Sequence, residues 1–339
     1  MAKFLDGQAP GGDRTPLSQL APLSTPLVVQ IFPAYACNFS CKYCTMSIPP
    51  GQRDFISDKR LMDFDLFTKC IHDMTTFDKR IITLRFVGMG EPLLHHRLPD
   101  MIEFAKIQNV AERLELITNG SLLYEMKAKS IIDAGLDRLV ISIQGTTAKK
   151  YQEVSNFNIN MHGFVQNLQT VYKNRGNMRI HIKIVDCALD DAEDKRLFLE
   201  LFGNCCDTIA IERVGPIHPG VEYNETLKQD QNVNQYGEAL SSSDVCSQPF
   251  YMMQINPDGN VVPCFAVPYP IILGNCREES VVDIWNGKAY NKFRYDMLNG
   301  YTEIDNNICN ECMIFKHRTH ASDDLHTKRE ELRKYYVEA

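Results

Sequence analysis

The sequence lacks any continuous apolar run of about eighteen residues, the length that a membrane-spanning helix needs. Residues 1–26 are rich in Gly, Pro, Ser and Gln, and they lack the apolar core of a secretory signal peptide. No segment recurs at a fixed period along the chain. These features argue against a helical membrane protein and a repeat array, so we expect a soluble, cytoplasmic protein with no membrane partner.

An excess of positive charge is also missing. The 339 residues include 36 Lys and Arg against 43 Asp and Glu, which gives a formal net charge of −7. Proteins that bind DNA or RNA usually attract it through a diffuse positive field. Nucleic acid is therefore not an expected partner, although a local basic pocket is compatible with this charge.

Apolar spacing predicts an α/β fold. Short β-rich segments alternate with helix-like segments from residue 27 onward, and six such units predict a parallel sheet with right-handed crossovers. The predicted strands are 27–32, 82–87, 113–117, 138–143, 179–185 and 207–212. The predicted helices are 61–77, 98–108, 123–134, 161–174 and 191–202.

The length of the chain exceeds what one hydrophobic core normally supports, so a second, smaller unit is expected. Cysteines become frequent after the predicted sheet, and the chain ends in a segment of mixed charge. We therefore predict a flexible leader (1–26), an α/β unit (27–238), a cysteine-rich unit (239–321) and a charged C-terminal helix (322–339). Mixed charge favours a solvated face for that helix.

Cysteine is abundant, with twelve residues in the chain. Because cytosolic reductants keep thiols reduced, this number favours metal sites over disulfides. Cys37, Cys41 and Cys44 follow the first predicted strand with the spacing C-x3-C-x2-C. Three thiolates can hold a four-iron cluster and leave one iron without a protein ligand, whereas electron-carrying clusters normally take four. Structural zinc is the alternative, but no fourth Cys or His stands nearby at a matching spacing.

This cysteine segment, with Tyr43 just before its last cysteine, resembles the signature of the radical S-adenosylmethionine (SAM) enzymes. A second segment follows the second predicted strand and is similar to the family's Gly-Gly-Glu-Pro motif, which contacts the SAM amino group; it reads Gly88-Met89-Gly90-Glu91-Pro92. The resemblance implies a partial (β/α)6 barrel, in agreement with the six predicted units. It also implies SAM and a [4Fe-4S] cluster bound by three cysteines, with Tyr43 and residues 88–92 near SAM.

The resemblance implies further SAM contacts at the ends of other strands. Thr118 and Ser142 match hydroxyls that help hold the SAM carboxylate and ribose in similar enzymes. Gln144 stands where many relatives have Asp, and Lys183 matches a cation near the SAM carboxylate. The alternative is structural, because strand-end hydroxyls often bond to loop backbone and lysines often extend along a sheet.

A second set of cysteines follows the predicted sheet: Cys246, Cys264, Cys309 and Cys312. Four thiolates in two separated pairs can close one four-iron site, and they would also satisfy a tetrahedral zinc ion. This stretch resembles the SPASM/Twitch auxiliary-cluster region of radical SAM proteins. Cys276 is a possible extra ligand, although a buried free cysteine is the simpler interpretation.

The number of auxiliary clusters follows from what comes after Cys312. A full two-cluster SPASM region would continue with more cysteines, whereas this chain has His317 and His320. The resemblance therefore implies a single auxiliary [4Fe-4S] cluster of the shorter Twitch type, similar to that of Twitch-type aminocyclitol dehydrogenases.

The resemblance implies that SAM is cleaved reductively to a 5′-deoxyadenosyl radical, which abstracts hydrogen from the substrate. We expect oxidation of a sugar-like or aminocyclitol alcohol, with the auxiliary cluster as electron acceptor. The expected partners are a small-molecule substrate and an external one-electron donor such as flavodoxin or ferredoxin. Asp186, Glu212 and Arg213 lie near predicted strand ends and are candidate catalytic residues. Surface ion pairs or packing at the barrel rim would explain them equally well.

Other functions stay open. Many SPASM enzymes modify ribosomally made peptides; residues 1–26 are too short and unpatterned for a leader-recognition domain, but a separate protein could supply one. The Gly-Met-Gly-Glu-Pro variant also occurs in radical SAM RNA methyltransferases, against which the negative charge and the Twitch-like tail argue. A non-catalytic iron-sulfur or zinc protein belongs to a different class, but a carrier would have no use for an open-iron loop beside a SAM site.

Overall fold

The structure is a computed structural model that describes residues 2–7, 14–53, 57–218, 220–224, 232–240 and 242–338. Residues 1 and 8–13, which belong to the predicted leader, lie outside the described residues. Among the described residues, no helix combines the length and apolar character that crossing a bilayer requires.

Ten strands of the described chain form a single sheet, and its middle six carry the predicted βα units. These six parallel strands are β2 (Val28–Ile31), β3 (Ile81–Phe86), β4 (Ala111–Thr118), β5 (Arg138–Ile143), β6 (Arg179–Val185) and β7 (Thr208–Glu212). The other four are β1 (Lys3–Asp6), β8 (Met252–Ile255), β9 (Asn260–Val262) and β10 (Gly274–Asn275). The order across the sheet is β1-β7-β6-β5-β4-β3-β2-β8-β9-β10.

Helices connect the parallel strands and continue after them. Those of the first unit are α1 (Leu17–Leu20), α2 (Phe64–Met74), α3 (Leu98–Gln108), α4 (Glu125–Asp133), α5 (Ala148–Ser155), α6 (Met161–Asn174) and α7 (Ala192–Phe202). Those that follow are α8 (Gln248–Tyr251), α9 (Val281–Asn286), α10 (Lys288–Met297), α11 (Asn307–Asn310), α12 (Ile314–Arg318) and α13 (Arg329–Glu338). The six predicted strands and five predicted helices are confirmed, with ends that differ by at most a few residues.

The two faces of the parallel sheet differ in polarity, because side chains alternate along each strand. Apolar residues such as Leu84 and Leu116 are buried in the main core on the helix-covered face. The opposite face carries polar side chains at the alternate positions. There, Arg85 and Arg138 each contact Glu115, at 2.5 and 2.6 Å. Although burial acts to raise it, these guanidinium groups lower the pKa of Glu115 to about 2.

Part of the predicted flexible leader is ordered, contrary to expectation. Strand β1 pairs in parallel with β7, with Lys3 beside Thr208 and Asp6 beside Ile211. The side chain of Leu17 is buried in the core. The edge of β7 would otherwise present unpaired backbone groups, which β1 satisfies. The sequence of β1 is too short and too mixed to have indicated a strand.

The cysteine-rich unit continues the sheet of the first unit. Strand β8 pairs in parallel with β2, with Val28 beside Met252, and β9 pairs antiparallel with β8. The core therefore extends across the predicted boundary at residue 239. The C-terminal helix α13 packs against α10 and buries Leu332 and Tyr336, so it is less solvated than its charge suggested.

Candidate functional site

Cys37, Cys41 and Cys44 converge in the loop that follows β2. Burial raises the pKa of Cys37 to about 12, and burial followed by the neighbouring thiols Cys44 and Cys37 raises the pKa of Cys41. The backbone N–H of Phe39 donates to the Cys37 sulfur at 3.4 Å. One buried and two half-buried cysteines in a single loop fit a shared iron-sulfur cluster, because bound iron favours the thiolates that burial alone opposes.

The segment after β3 is fitted closely against this loop. A Cβ atom on Gly90 would lie 2.3 Å from the carbonyl oxygen of Ala34 and 2.7 Å from that of Ala36. The next residue, Glu91, donates its backbone N–H to Ala36 at 2.7 Å. Gly90 is therefore required for the close approach of two backbones. The segment after β3 lies against the residues that lead into the cysteine loop.

Glu91 is almost fully buried and bonds to its own chain. Its carboxylate accepts the hydroxyl of Thr118 at 2.6 Å and the backbone N–H groups of Asn119 and Leu93 at 2.8 and 3.0 Å. Burial raises the pKa of Glu91 despite these hydrogen bonds. Glu91 and Thr118, two predicted SAM contacts, thus form a contact with each other that joins the ends of β3 and β4.

Two further contacts tie the cysteine loop to strand ends. The Tyr43 hydroxyl donates to Oε1 of Gln144 at 2.5 Å, which connects the loop to the residues after β5. Thr45 donates to the sulfur of Met89 at 3.1 Å. Ser142 lies on the polar face of β5, and its hydroxyl forms no hydrogen bond with another described residue.

The three candidate catalytic residues follow β6 and β7. Oε2 of Glu212 lies 2.7 Å from Nζ of Lys183; although burial opposes it, this ion pair lowers the pKa of Glu212. Oδ1 of Asp186 accepts the backbone N–H of Val214 at 3.1 Å. Arg213 faces Asp6 at 3.7 Å. Lys183, predicted near the SAM carboxylate, is thus paired within the chain.

The second cysteine set lines one cavity. Cys246, Cys264, Cys309 and Cys312 line it together with apolar side chains such as Phe293. Burial raises the pKa of Cys246, and the charges of the other three thiols add to this effect. Among the described residues, no three His, Cys, Asp or Glu side chains are grouped around a single ion position. Four cysteines that line one cavity can supply the four thiolate ligands of a four-iron cluster.

Cys276 lies outside this cavity. Its thiol lies beside that of Cys70 of α2, and this interaction together with burial raises the pKa of Cys276. Both side chains are fully buried. The structure places Cys276 at the junction of α2 with the cysteine-rich unit, apart from the four thiols that line the cavity.

Two arginines of the site were missed by the sequence analysis. Arg53 donates to the carbonyl oxygens of Met46 and Ile48, both at 2.6 Å, and so fixes the turn after Cys44. Arg318, at the end of α12, lines a small cavity with Arg213 and His317 near the end of β7. Neither arginine stands in a recognisable motif, and only the six-residue distance between Cys312 and Arg318 could have drawn attention to the second.

Comparison with protein families gives two matches. The model of the radical SAM superfamily matches residues 31–185, and the model of an iron-sulfur cluster-binding domain, SPASM, matches residues 246–313. The first covers the cysteine loop and strands β3 to β6. The second covers all four cysteines of the cavity.

Two relatives of known description were compared. A tungsten-containing aldehyde ferredoxin oxidoreductase cofactor-modifying protein of Pyrococcus furiosus is 23% identical over 76% of this chain and 80% of its own length. A probable GTP 3′,8-cyclase of Methanococcus maripaludis is 33% identical over 35% of this chain. The match spans only 37% of that cyclase, so its activity does not transfer with the similarity.

Solved structures share the fold. BtrN in complex with AdoMet and 2-DOIA superposes with a TM-score of 0.54 at 17% identity, covering 84% of this chain and 92% of BtrN. Streptococcus suis SuiB bound to S-adenosylmethionine gives a TM-score of 0.63 at 15% identity, covering 89% of this chain and 74% of SuiB. At these identities the likeness concerns the fold alone.

Proposed function

Because the chain is a radical SAM protein with a C-terminal cluster-binding domain of the SPASM type, we propose that it oxidises an alcohol carbon of a small sugar-like or aminocyclitol substrate. Its cofactors are SAM, a [4Fe-4S] cluster and an auxiliary iron-sulfur cluster. The observation that carries the proposal is the cavity lined by four cysteines. Four protein ligands leave no iron open for substrate, which favours electron transfer as the role of that cluster.

Different residues of the chain would bind the first cluster and SAM. Cys37, Cys41 and Cys44 would hold the first cluster, and residues 88–92 would border SAM. When bound, SAM and this cluster supply a 5′-deoxyadenosyl radical that removes a hydrogen atom from the substrate. The sheet that β2 and β8 share connects the two units that carry the cysteine sets.

Glu212 is proposed as the group that accepts the substrate's hydroxyl proton. One of its oxygens lies 2.7 Å from Nζ of Lys183, and the other, Oε1, is buried without a hydrogen-bond partner among the residues that the structure describes. The low pKa keeps the carboxylate ionised. A hydroxyl beside a radical carbon is much more acidic than an ordinary alcohol, so a weak base in hydrogen-bond reach is sufficient. An external donor such as flavodoxin or ferredoxin would supply the initiating electron.

The test is anaerobic reconstitution followed by reduction in the presence of SAM. We expect about eight irons per chain, about four in the Cys37→Ala/Cys41→Ala/Cys44→Ala variant, and 5′-deoxyadenosine only with the intact first set. Deuterium from a panel of deuterated sugar alcohols and aminocyclitols should appear in that product. In Cys264→Ala, deuterium transfer should persist while the oxidised product is lost. Wild-type protein with about four irons, bound zinc and no 5′-deoxyadenosine would overturn the proposal and favour a carrier.

Peptide modification is the competing function. SuiB has also been solved with its precursor peptide SuiA, and it shares the fold of this chain with a TM-score of 0.62 in that complex. Fold likeness does not identify a substrate. Deuterium transfer from a labelled peptide, with none from any alcohol of the panel, would replace the oxidation of a small alcohol by peptide maturation.

A further inference from the structure

Polar atoms without partners are concentrated where the chain leaves β7. Oε1 of Glu212, Nη1 of Arg213 and Nδ1 of His218 are buried and form no hydrogen bond with any described residue. Buried polar groups are nearly always paired, and an exception in a native structure needs an explanation. The segment 212–218 therefore has the features of a binding site for a polar ligand.

Arg318 reaches the same region from α12. It lines the small cavity with Arg213 and His317. Within the described chain, its guanidinium has no hydrogen bond or ion pair, and it lies 5.3 Å from the centre of the Phe265 ring. Burial lowers the pKa of Arg318, while the charges of Glu212, Tyr223, Tyr236 and Cys44 act in the opposite direction. Arg318 is thus placed between the end of β7 and the cysteine loop.

Among the described residues, no carboxylate lies within ion-pair distance of the Arg318 guanidinium, although the charge of Glu212 acts on it from further away. Lys183 takes up one oxygen of Glu212 at 2.7 Å, and Arg213 faces Asp6 at 3.7 Å. His218 carries no charge near pH 7, because burial lowers its pKa to about 3. A partly buried guanidinium loses hydration, and charges beyond contact distance offset only part of that loss. An anionic ligand would supply the missing attraction.

We propose that Arg318 binds a carboxylate or phosphate group of the substrate, while Oε1 of Glu212 accepts a hydrogen bond from a substrate hydroxyl. A guanidinium offers parallel N–H donors that match the oxygens of both anions. The substrate is then a hydroxylated small molecule with an anionic group, a sugar acid or a sugar phosphate. This assignment rests on the proposed function and narrows its substrate class.

The test uses two probe pairs that differ in their anionic group: gluconate with glucitol, and glucose 6-phosphate with glucose. Binding is measured by anaerobic calorimetry on reconstituted protein saturated with SAM. The wild type should bind at least one anion about tenfold more tightly than its neutral counterpart, and Arg318→Gln should reduce this preference to about twofold or less. Lys316→Gln removes an equal charge from the same helix and should keep the preference.

Arg318→Lys should retain part of the preference for the anionic probes, because it keeps the positive charge. If Arg318→Gln loses iron, Arg318→Lys is measured in its place. Equal binding of charged and neutral probes by the wild type, or binding of neither, overturns the assignment. So does an unchanged preference in Arg318→Gln.

The carboxylate of SAM is the other anion that could reach Arg318. Binding of SAM and of decarboxylated SAM therefore has to be compared in the same variants. If Arg318→Gln loses the preference for SAM and keeps that for the anionic probes, the ligand is SAM and the substrate assignment is wrong. Formation of 5′-deoxyadenosine without any probe tests the proposed function separately. If the wild type forms none, radical initiation is refuted. If the wild type forms it but shows no preference for the anionic probes, only the role of Arg318 is refuted.

Discussion

Thr118 and Glu91 are bonded to each other inside the protein, with Oγ1 of Thr118 donating to Oε1 of Glu91 at 2.6 Å. The backbone N–H of Gly120 in turn donates to the Thr118 hydroxyl at 3.0 Å. The hydroxyl's only proton is therefore used within the chain. Direct contacts of both residues with SAM stay predictions. The observed hydrogen bonds give both residues a structural role, which is to hold the ends of β3 and β4 together.

Replacing Thr118 by Val should lower the free energy of unfolding by about 1–3 kcal/mol, because a buried carboxylate loses one of its donors. Thr118→Ser retains the hydroxyl and is the matched control, with a stability close to that of the wild type. Anaerobic thermal unfolding measures the difference. A Val variant of unchanged stability and tenfold weaker SAM binding would instead identify Thr118 as a direct SAM contact.

Gly90→Ala should prevent the segment after β3 from lying against the cysteine loop. The added Cβ would lie 2.3 Å from a backbone oxygen that no side-chain rotation can move. We expect a loss of more than about 2 kcal/mol in stability, or failure to assemble the first cluster. Gly51→Ala is the control, because no atom of the described residues lies within 4 Å of its Cβ position. Iron content and melting temperature report the outcome, and equal behaviour of the two variants would contradict the close fit.

Cys276→Ala should leave about eight irons per chain, because its thiol contacts Cys70 and not the cavity of the other four cysteines. Cys264→Ala should reduce the content to about four. Iron and sulfide quantification after identical reconstitution compares the two. A loss of iron in Cys276→Ala with an unchanged melting temperature would make Cys276 a ligand.

Acidification should destabilise the fold through His181. Its Nδ1 lies 2.8 Å from the Thr208 hydroxyl, and burial, followed by the charge of Arg138, lowers its pKa to about 4 from an ordinary value near 6.5. Between these two pKa values, His181 binds a proton in the unfolded chain but not in the folded chain. The free energy of unfolding therefore falls as the pH drops through this range. We expect a loss of about 1 kcal/mol between pH 7.5 and 5.5.

His181→Gln should remove that part of the pH dependence. The free energy of unfolding of wild type and variant, compared at the two pH values, isolates it. Parallel pH profiles would show that His181 does not titrate in this range.

The repeating units of the sheet could be predicted because their strands are apolar and their helices are amphipathic. Helix α5 was missed, since Ala148–Ser155 is mostly polar and begins at a Thr147 cap whose hydroxyl accepts the N–H of Lys150. Strand β1 was missed because its pairing partner, β7, follows some two hundred residues later. Local patterns do not indicate such distant partners.

The sequence by itself determined the predicted chemistry: Cys37, Cys41 and Cys44 and the glycine-rich segment after β3 are short local motifs, and four further cysteines stand between residues 246 and 312. The tertiary structure decided which side chains meet. It joined Glu91 to Thr118 and Lys183 to Glu212, placed Cys276 beside Cys70, and brought Arg318 to the end of β7. Contacts between strand ends depend on the register and order of a whole sheet, and those are set by the summed packing of the core and not by any short segment.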